Sequence, residues 1–233
     1  MKIIPAIDIM DGQVVRLLKG RPQDKTVYGN DPVEIAKKWE KAGADMLHVV
    51  DLDATLGRGR NIQLVKKISG AVSIPVQIAG GLRTIPLIQD AMKSSSRIVL
   101  GTLAFKDRDA LKQISKFDLQ RIVISVDHID GSIVINGWQD RAGVDLFDAM
   151  RDFLDMGFVN FLLTNVNRDG MMNGPDLQNL KQACLLPNAN VIASGGISEI
   201  KDVNDVKANG AYGVILGKAL YEGRVSIQEA KLI

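Results

Sequence analysis

The chain has few of the residues that build disulfide frameworks, thiol active sites or metal clusters. Its 233 residues include one cysteine, Cys184, and two histidines, His48 and His128. A single cysteine forms no intramolecular disulfide, and a Cys–His catalytic pair has few residues to draw on. Zinc sites need several cysteines or histidines at paired spacings, which this sequence does not contain. We therefore predict no metal site, and we interpret Cys184 as a helical core residue.

Neither an excess of one charge nor a long apolar run is present. The 29 basic and 27 acidic residues leave a formal net charge of +2, so we expect neither nucleic acid nor a membrane surface as a partner. No stretch approaches the roughly 18 apolar residues of a membrane-spanning helix. The apolar start, Met1–Ile7, is too short for a signal peptide and is followed by Asp8, so we expect a cytoplasmic protein.

Short apolar runs alternate with amphipathic segments along the whole chain, which is 46% hydrophobic and 24% charged. Such runs, apolar on both faces, are typical of parallel strands covered by helices. The predicted strands are Ile3–Ile7, Met46–Val50, Val76–Ala79, Ile98–Leu100, Ile122–Val126, Phe161–Leu163, Val191–Ala193 and Val214–Leu216. The predicted helices are Pro32–Ala42, Ile62–Ser69, Thr84–Lys93, Asp107–Ile114, Gly143–Met156, Leu177–Cys184 and Glu199–Ala208. This alternation is typical of a doubly wound sheet or of a closed barrel.

An internal repeat favours the barrel. The matched segments are Ile4–Gly12 with Val123–Gly131, offset by 119 residues, Ala79–Leu82 with Ser194–Ile197, offset by 115, and Ile98–Ala104 with Val214–Leu220, offset by 116. A doubly wound sheet would not need matched marks after the first, third and fourth units of both halves. We predict one α/β domain over residues 1–233, a (β/α)8 TIM barrel whose half-barrels span about 1–118 and 119–233.

Glycine-marked loops follow the third, fourth, seventh and eighth predicted strands. Their candidate phosphate-binding residues are Gly80, Gly81, Gly101, Thr102, Gly195, Gly196, Gly217 and Lys218. Glycine lets the backbone approach a ligand, and the N–H groups that open the following helix bind anions. One such pair could equally form only a tight turn, but four in symmetric positions favour phosphate binding. Two symmetric sites predict a small-molecule substrate with a phosphate at each end.

Two aspartates end equivalent strands of the two halves, where barrel enzymes carry their catalytic residues. Asp8 and Asp127 are predicted to face each other across the barrel. Burial of an unpaired carboxylate raises its pKa and suits it to proton transfer, although a structural capping role is the alternative. Asp11 and Asp130 each precede a glycine between apolar runs, which is a hairpin turn signal, and we interpret both as turn residues.

Further candidate site residues lie in neighbouring loops. Thr164 ends the sixth strand, where it could orient the substrate or a proton donor, and Asp169 is a second candidate acid. Three more residues are candidates for substrate binding: Arg83 as a phosphate clamp, Trp138 as a stacking surface for a flat ring, and Gly174 in the sixth loop. A surface-anchoring role is the alternative for Trp138. His48 is interpreted as an interior residue.

Taken together, these motifs resemble the phosphoribosylformimino-aminoimidazole carboxamide ribotide (ProFAR) isomerase family of histidine biosynthesis. The resemblance runs essentially end to end. It is carried by Ile4–Asp8, Gly12–Leu17, Val50–Asp53, Gly80–Arg83, Ser125–Asp127, Gly137–Trp138, Arg168–Gly170, Ala193–Ile197 and Gly217–Tyr221. The resemblance implies an intramolecular aldose–ketose conversion, an Amadori rearrangement without metal or organic cofactor. It further implies that Asp8 is the base at C2, that Asp127 is the acid that opens the ribose ring, and that Thr164 assists.

The sequence departs from the family pattern at three places. Ala79 stands where a third glycine is usual, Ala54 where the family usually has glycine, and Met171 where it usually has threonine. The first departure is expected to reshape one phosphate loop slightly. None of the three removes a proposed catalytic group.

Three alternatives remain open from the sequence. The sister cyclase of the same pathway shares the repeat, but its first strand typically reads Cys-Leu-Asp where this chain has Ala6–Asp8. A dual-substrate isomerase that also converts phosphoribosylanthranilate would use the same chemistry and differ only in loop contacts. A non-catalytic phosphate-binding barrel would not need both Asp8 and Asp127. We expect a monomer, because the fused halves already close the barrel.

Overall fold

A computed structural model describes residues 1–18 and 20–233. In chain order the strands are β1 (Lys2–Met10), β2 (Gln13–Leu18), β3 (Arg21–Gly29), β4 (Leu47–Asp51), β5 (Val76–Ala79), β6 (Arg97–Leu100), β7 (Ile122–Ile129), β8 (Ser132–Ile135), β9 (Asp140–Asp145), β10 (Asn160–Asn165), β11 (Asn190–Ser194) and β12 (Gly213–Leu216). The α-helices are α1 (Pro32–Lys41), α2 (Leu52–Leu56), α3 (Ile62–Ala71), α4 (Ile85–Lys93), α5 (Thr102–Lys106), α6 (Arg108–Ile114), α7 (Leu146–Asp155), α8 (Leu177–Cys184), α9 (Ile200–Ala208), α10 (Lys218–Tyr221) and α11 (Ile227–Leu232).

Eight of these strands pair in parallel and form a closed circle. Their order around the barrel is β1, β4, β5, β6, β7, β10, β11 and β12, with β12 paired back to β1. The halves meet where β6 pairs with β7 and where β12 pairs with β1. Within the second half β7 pairs with β10, so that Thr164 lies opposite Asp127 in the register. The fold is therefore a single (β/α)8 barrel with the helices outside it, as the sequence repeat predicts.

The core has two layers, because barrel strands bury both faces. Side chains that fill the barrel interior include Ile4, Val123, Leu162, Ile192 and Ile215, and each is at most 5% exposed. The larger outer cluster packs the opposite strand faces against the ring of helices. This double burial explains why the strand segments are apolar at nearly every position.

The eight predicted strand segments and six of the seven predicted helices are confirmed within a few residues. The helix predicted at Gly143–Met156 is wrong in its first three residues. Residues Asp140–Asp145 form β9 instead, and Gly143 has φ +73°, a backbone conformation outside the α-helix. The helix begins at Leu146, because the Asp145 carboxylate accepts hydrogen bonds from the Phe147 and Asp148 N–H groups and caps it.

Two long hairpins rise from the C-terminal ends of β1 and β7, and we call them loop one and loop five. Loop one contains β2 and β3, and loop five contains β8 and β9. Their turns are formed by Asp11–Gly12 and Asp130–Gly131, all four with φ between +52° and +79°. The predicted turn role of both aspartates is confirmed, since Asp-Gly readily adopts this left-handed geometry.

Cys184 ends α8, half-buried against the outer core. Burial raises the pKa of its thiol to about 11, so the thiolate needed for nucleophilic chemistry is scarce at neutral pH. Among the described residues, no helix is long and apolar enough to span a bilayer.

Candidate active site

A cavity of about 240 Å³ opens at the C-terminal ends of the barrel strands. It is lined by residues from loops one and five, by the ends of several strands, and by the loop that follows β10, which we call loop six. All four predicted catalytic side chains line it, namely Asp8, Asp127, Thr164 and Asp169. The sequence repeat thus led to one shared site, at the barrel end where catalytic residues are expected.

Asp8 is the carboxylate contributed by the first half-barrel. Its Oδ2 accepts a hydrogen bond from Arg16 Nη1 at 2.8 Å, and the Asp8 and Arg16 side chains are 14% and 13% exposed. Burial raises the pKa of Asp8 to about 6, although Arg16 opposes the rise, and the nearby Asp169 charge adds to it. A carboxylate with this pKa is a stronger base than an exposed one and is still ionised at neutral pH.

Asp127 is the matching carboxylate of the second half. Its Oδ1 accepts a hydrogen bond from Ser125 Oγ at 2.9 Å, and its Oδ2 accepts one from Trp138 Nε1 at 2.9 Å. Burial raises the pKa of Asp127, and hydrogen bonds, that of Trp138 foremost, oppose the rise. The hydrogen bonds therefore hold the carboxylate in a fixed orientation, and the raised pKa makes it easier to protonate.

Asp169 brings a third carboxylate to the same cavity. Burial raises its pKa, with the Arg16 guanidinium opposing the rise. Its charge in turn raises the pKa values of Asp8 and Asp127. Ionisation of all three carboxylates beside a single cation is unfavourable, because their negative charges repel one another. Such a cluster therefore readily retains a proton that it can donate.

The predicted phosphate-binding segments of the first half, Gly80–Gly81 and Gly101–Thr102, line this cavity, and we call them together the anion loop of that half. A Cβ at Gly80 would lie 2.3 Å from the Asp51 carbonyl oxygen, so packing against the neighbouring loop already requires glycine. Arg83, the predicted phosphate clamp, also lines the cavity. Its guanidinium donates to the carbonyl oxygens of Ala54 and Thr55, which leaves further N–H groups for a ligand.

The anion loop of the second half lies in a separate, smaller cavity of about 20 Å³, lined by Gly195, Gly196, Gly217 and Lys218. Arg16 and Asp169 line both cavities and lie between them. The Arg16 guanidinium covers Gly217 so closely that a Cβ there would lie 2.2 Å from Nη2. The two sets of predicted phosphate-binding residues therefore line neighbouring cavities that meet at Arg16 and Asp169.

Gly174 does not line either cavity and lies behind the second anion loop. Its N–H donates to the Gly196 carbonyl oxygen at 3.0 Å, and its own carbonyl oxygen accepts from Arg168 Nη1 at 2.9 Å. Its place in the fold points to support of the loop, and direct phosphate contact stays a prediction.

Trp138 extends from loop five into the larger cavity. Its backbone is left-handed, with φ +69°, and its ring packs so closely on loop one that a Cβ at Gly20 would lie 2.8 Å from Cε3. The indole N–H is held by the Asp127 carboxylate, and the side chain lines the cavity. This geometry suits stacking on a planar ring and argues against a role in surface anchoring.

His48 is buried, as predicted, and also lines the cavity. Its Nδ1 lies within hydrogen-bond distance of the Gln77 side-chain amide, 3.0 Å from Nε2. Burial lowers the pKa of His48 to about 4, and Arg16 lowers it further, so the ring is neutral.

Arg16 is the functional residue that sequence reasoning did not single out. The hairpin register places Val15 opposite Asp8. Because strand side chains alternate between faces, this register alone does not predict the ion pair that Arg16 makes with Asp8.

A known family matches this chain over most of its length. The family is described as "Histidine biosynthesis protein", and its sequence model matches residues 2–226. The chain belongs to the histidine biosynthesis protein family.

Three relatives of this chain share one name. A protein of Nitrosopumilus maritimus is 62% identical over 99% of this chain and 98% of its own length. A protein of Cenarchaeum symbiosum is 58% identical over 99% of each chain. One of Persephonella marina is 41% identical over 97% of this chain and 96% of its own. All three are named 1-(5-phosphoribosyl)-5-((5-phosphoribosylamino)methylideneamino) imidazole-4-carboxamide isomerase.

Gly196→Ala tests the second anion loop of this histidine biosynthesis barrel. Gly196 has φ +84°, and a Cβ there would lie 2.2 Å from the Gly174 carbonyl oxygen. We expect the loop to be displaced and the Kd for inorganic phosphate, measured by calorimetry, to rise at least about tenfold, roughly 1.4 kcal/mol.

Gly43→Ala is the matched control, because Gly43 has φ +97° with no atom within 4 Å of its Cβ position. It lies in the connection between α1 and β4 and carries only the cost of a left-handed alanine, about 1–2 kcal/mol of stability. Equal phosphate affinity in the two variants would contradict the assignment of this loop.

Proposed function

We propose that this protein catalyses the Amadori rearrangement of ProFAR, an aminoaldose, to the corresponding aminoketose. The observation that carries the proposal is the placement of Asp8, Asp127 and Asp169 in one cavity, between two glycine-marked anion loops. The named activity of the full-length relatives agrees with it. A substrate with a phosphate at each end would hold its ribose between the carboxylates.

The reaction proceeds by a series of proton transfers, of which ring opening and removal of the C2 proton come first. Asp127, with its raised pKa, donates a proton to the ribose ring oxygen, which opens the ring and leaves an iminium at C1. Asp8 then removes the proton at C2, and its electron pair neutralises the iminium to give an enolamine. Addition of a proton at C1 and loss of the C2 hydroxyl proton then convert the enolamine to the aminoketose, so over the four transfers no net proton is gained or lost.

Other cavity residues support this sequence of steps. Thr164 lies beside Asp127 on the neighbouring strand and would orient the acid or the opening ribose. Trp138 offers its indole face to a planar ring of the substrate. Arg16 stabilises the ionised form of Asp8 before the reaction and lies beside the second anion loop. Holding both phosphates fixes the sugar, and good orientation supplies up to about 7–11 kcal/mol of barrier lowering.

Turnover with two substrates tests the proposal. Purified protein is incubated with ProFAR and, in parallel, with phosphoribosylanthranilate, both in the presence of a chelator. Conversion of ProFAR alone is expected, because the relatives are named for that substrate class. Conversion of both would make this a dual-substrate isomerase, and conversion of neither would overturn the proposal in favour of the cyclase or a non-catalytic barrel.

The pKa of Asp8 predicts a pH dependence. Because Asp8 acts as a base, only its ionised form is active, and the pKa raised to about 6 by burial sets the acid limb. We expect kcat/KM to rise with pH through a midpoint near 6, and to be about tenfold below its plateau one unit lower. A pH profile from 4.5 to 8 measures this, and a midpoint near 4 would show that Asp8 is not the titrating base.

The remaining features of the proposal concern the protein's surroundings. We propose a cytoplasmic monomer that acts on a small bisphosphate, without nucleic acid, membrane or cofactor. The small number of Cys and His residues and the balanced charge support this assignment. Gel filtration with light scattering measures the oligomeric state, and a dimer would contradict the monomer.

A further inference from the structure

His128 follows Asp127 directly in the sequence and has no part in the mechanism above. Its side chain is fully buried, with 0% exposure. Successive side chains on a strand point to opposite faces, so His128 points away from the cavity that Asp127 lines. A fully buried histidine behind a catalytic carboxylate is expected to have polar partners of its own.

The ring of His128 lies between the turn of loop five and Asp176, at the end of loop six. Its Nδ1 accepts a hydrogen bond from the Gly131 N–H at 3.4 Å, in the turn of loop five. Because Nδ1 accepts, the neutral ring carries its proton on Nε2. Nε2 lies 3.5 Å from Oδ2 of Asp176 and makes no hydrogen bond among the described residues. A buried ring nitrogen thus lies just beyond normal hydrogen-bond length from a carboxylate oxygen.

Asp176 connects this ring to the backbone that carries Asp169. Its Oδ2 accepts a hydrogen bond from Asn165 Nδ2 at 2.6 Å, and its Oδ1 caps α8. The Asn165 carbonyl oxygen in turn accepts from the Arg168 and Asp169 N–H groups, at 3.0 and 3.2 Å. The turn that presents Asp169 to the cavity therefore begins at a residue that Asp176 holds.

The two sides of this connection carry two of the three active-site carboxylates. β7 carries Asp127 immediately before His128, and the loop-six turn carries Asp169 immediately after the segment fixed by Asn165. The backbones also meet, since the Val166 N–H donates to the His128 carbonyl oxygen at 3.0 Å. Movement of loop six relative to β7 would change the Nε2–Oδ2 distance directly.

We propose that His128 and Asp176 form a positioning pair that sets the spacing of Asp127 and Asp169. The proposal rests on the proposed function, because it assigns these two carboxylates a part in the reaction. Shortening the gap by about half an ångström would complete the hydrogen bond. Substrate binding completes it, and the bond then holds loop six against β7 in the reactive arrangement.

Three replacements of the pair separate positioning from simple packing. His128→Leu introduces an apolar side chain of similar size, which removes the polar contacts with Gly131 and Asp176. His128→Gln restores an amide N–H that reaches toward Asp176. Asp176→Asn removes the charge but keeps an oxygen that can cap α8.

Steady-state kinetics with ProFAR tests the pair. We expect His128→Leu to lower kcat about tenfold with KM within about threefold of wild type, since a 1 Å misplacement can cost about 10²-fold. His128→Gln is expected to recover at least half of the lost activity. The double variant of His128→Leu and Asp176→Asn should be no slower than the slower single variant, because both remove the same contact.

The outcomes distinguish failure of this inference from failure of the proposed function. Wild-type protein without turnover on ProFAR would overturn the proposed function and this inference together. If wild type is active but His128→Leu has an unchanged kcat, the inference alone is overturned. The same holds if the kcat loss in the double variant equals the product of the losses in the two single variants. Equal losses in His128→Leu and His128→Gln with matched thermal unfolding would also count against it, because rescue by the amide is the signature of positioning.

Discussion

Asp8→Asn is expected to lower kcat/KM by about 10²–10⁴-fold, the usual contribution of a general base. An asparagine side chain has the same shape and can still accept the hydrogen bond from Arg16 that Asp8 accepts at 2.8 Å. It cannot take a proton, so removal of the C2 hydrogen loses its base. The loss should fall on kcat, while KM changes little, because both anion loops remain intact.

Asp11→Asn is the matched control for this variant. Asp11 lies three residues further along the same segment, in the turn of loop one, where it pairs with Lys25 at the surface. Its φ of +53° is readily adopted by asparagine, so we expect kcat/KM within about twofold of wild type. An Asp8→Asn variant that turned over as fast as Asp11→Asn would show that another group is the base.

Asp127→Asn is expected to cause a loss of similar size, about 10²–10⁴-fold in kcat, for a different reason. The amide keeps an acceptor for Ser125 or Trp138, whose hydrogen bonds orient the native carboxylate. It cannot donate an acidic proton to the ribose oxygen, so ring opening becomes the slow step. Asp169→Asn should cost less, about tenfold, if Asp169 acts chiefly through its charge on the other two carboxylates.

Isotope effects separate the two roles. With substrate deuterated at C2, Asp8→Asn should show a full primary isotope effect on kcat, because C–H cleavage limits it. Asp127→Asn should show almost none, because ring opening comes first. Asp130→Asn, in the equivalent turn of loop five, is the control and should behave as wild type. A larger loss in Asp169→Asn than in Asp127→Asn would make Asp169 the principal acid.

The internal repeat is the reason why so much of the site could be predicted from the sequence. Asp8 and Asp127 occupy matched positions at matched strand ends, and the fold brings both to one cavity. Glycine pairs such as Gly80–Gly81 are visible because close backbone packing and left-handed φ values admit little else. Features that recur in both halves were thus the most visible in the sequence, whereas Thr164 and Asp169 were predicted from a single loop.

What could not be predicted depends on contacts between elements that are distant in the sequence. The helix at Gly143–Met156 was placed too early, because helical periodicity does not register the pairing of β9 with β8. His128 looked unremarkable as an isolated residue, since its relation to Asp176 exists only after β7 and β10 pair. The two anion loops likewise looked equivalent in the sequence.

The two anion loops differ in how open they are to solvent, and this difference favours one order of binding for the two ends of the substrate. The anion loop of the first half lines an open cavity of about 240 Å³, whereas that of the second lies in about 20 Å³ beneath Arg16. Lys218 Nζ also donates to the Gly170 carbonyl oxygen at 3.4 Å, which ties loop six over the smaller site. We expect one end of a rod-shaped substrate to anchor first and the other to enter only as loops one and six yield. A fold with pseudo-twofold symmetry would then bind its substrate asymmetrically, with one phosphate end always entering before the other.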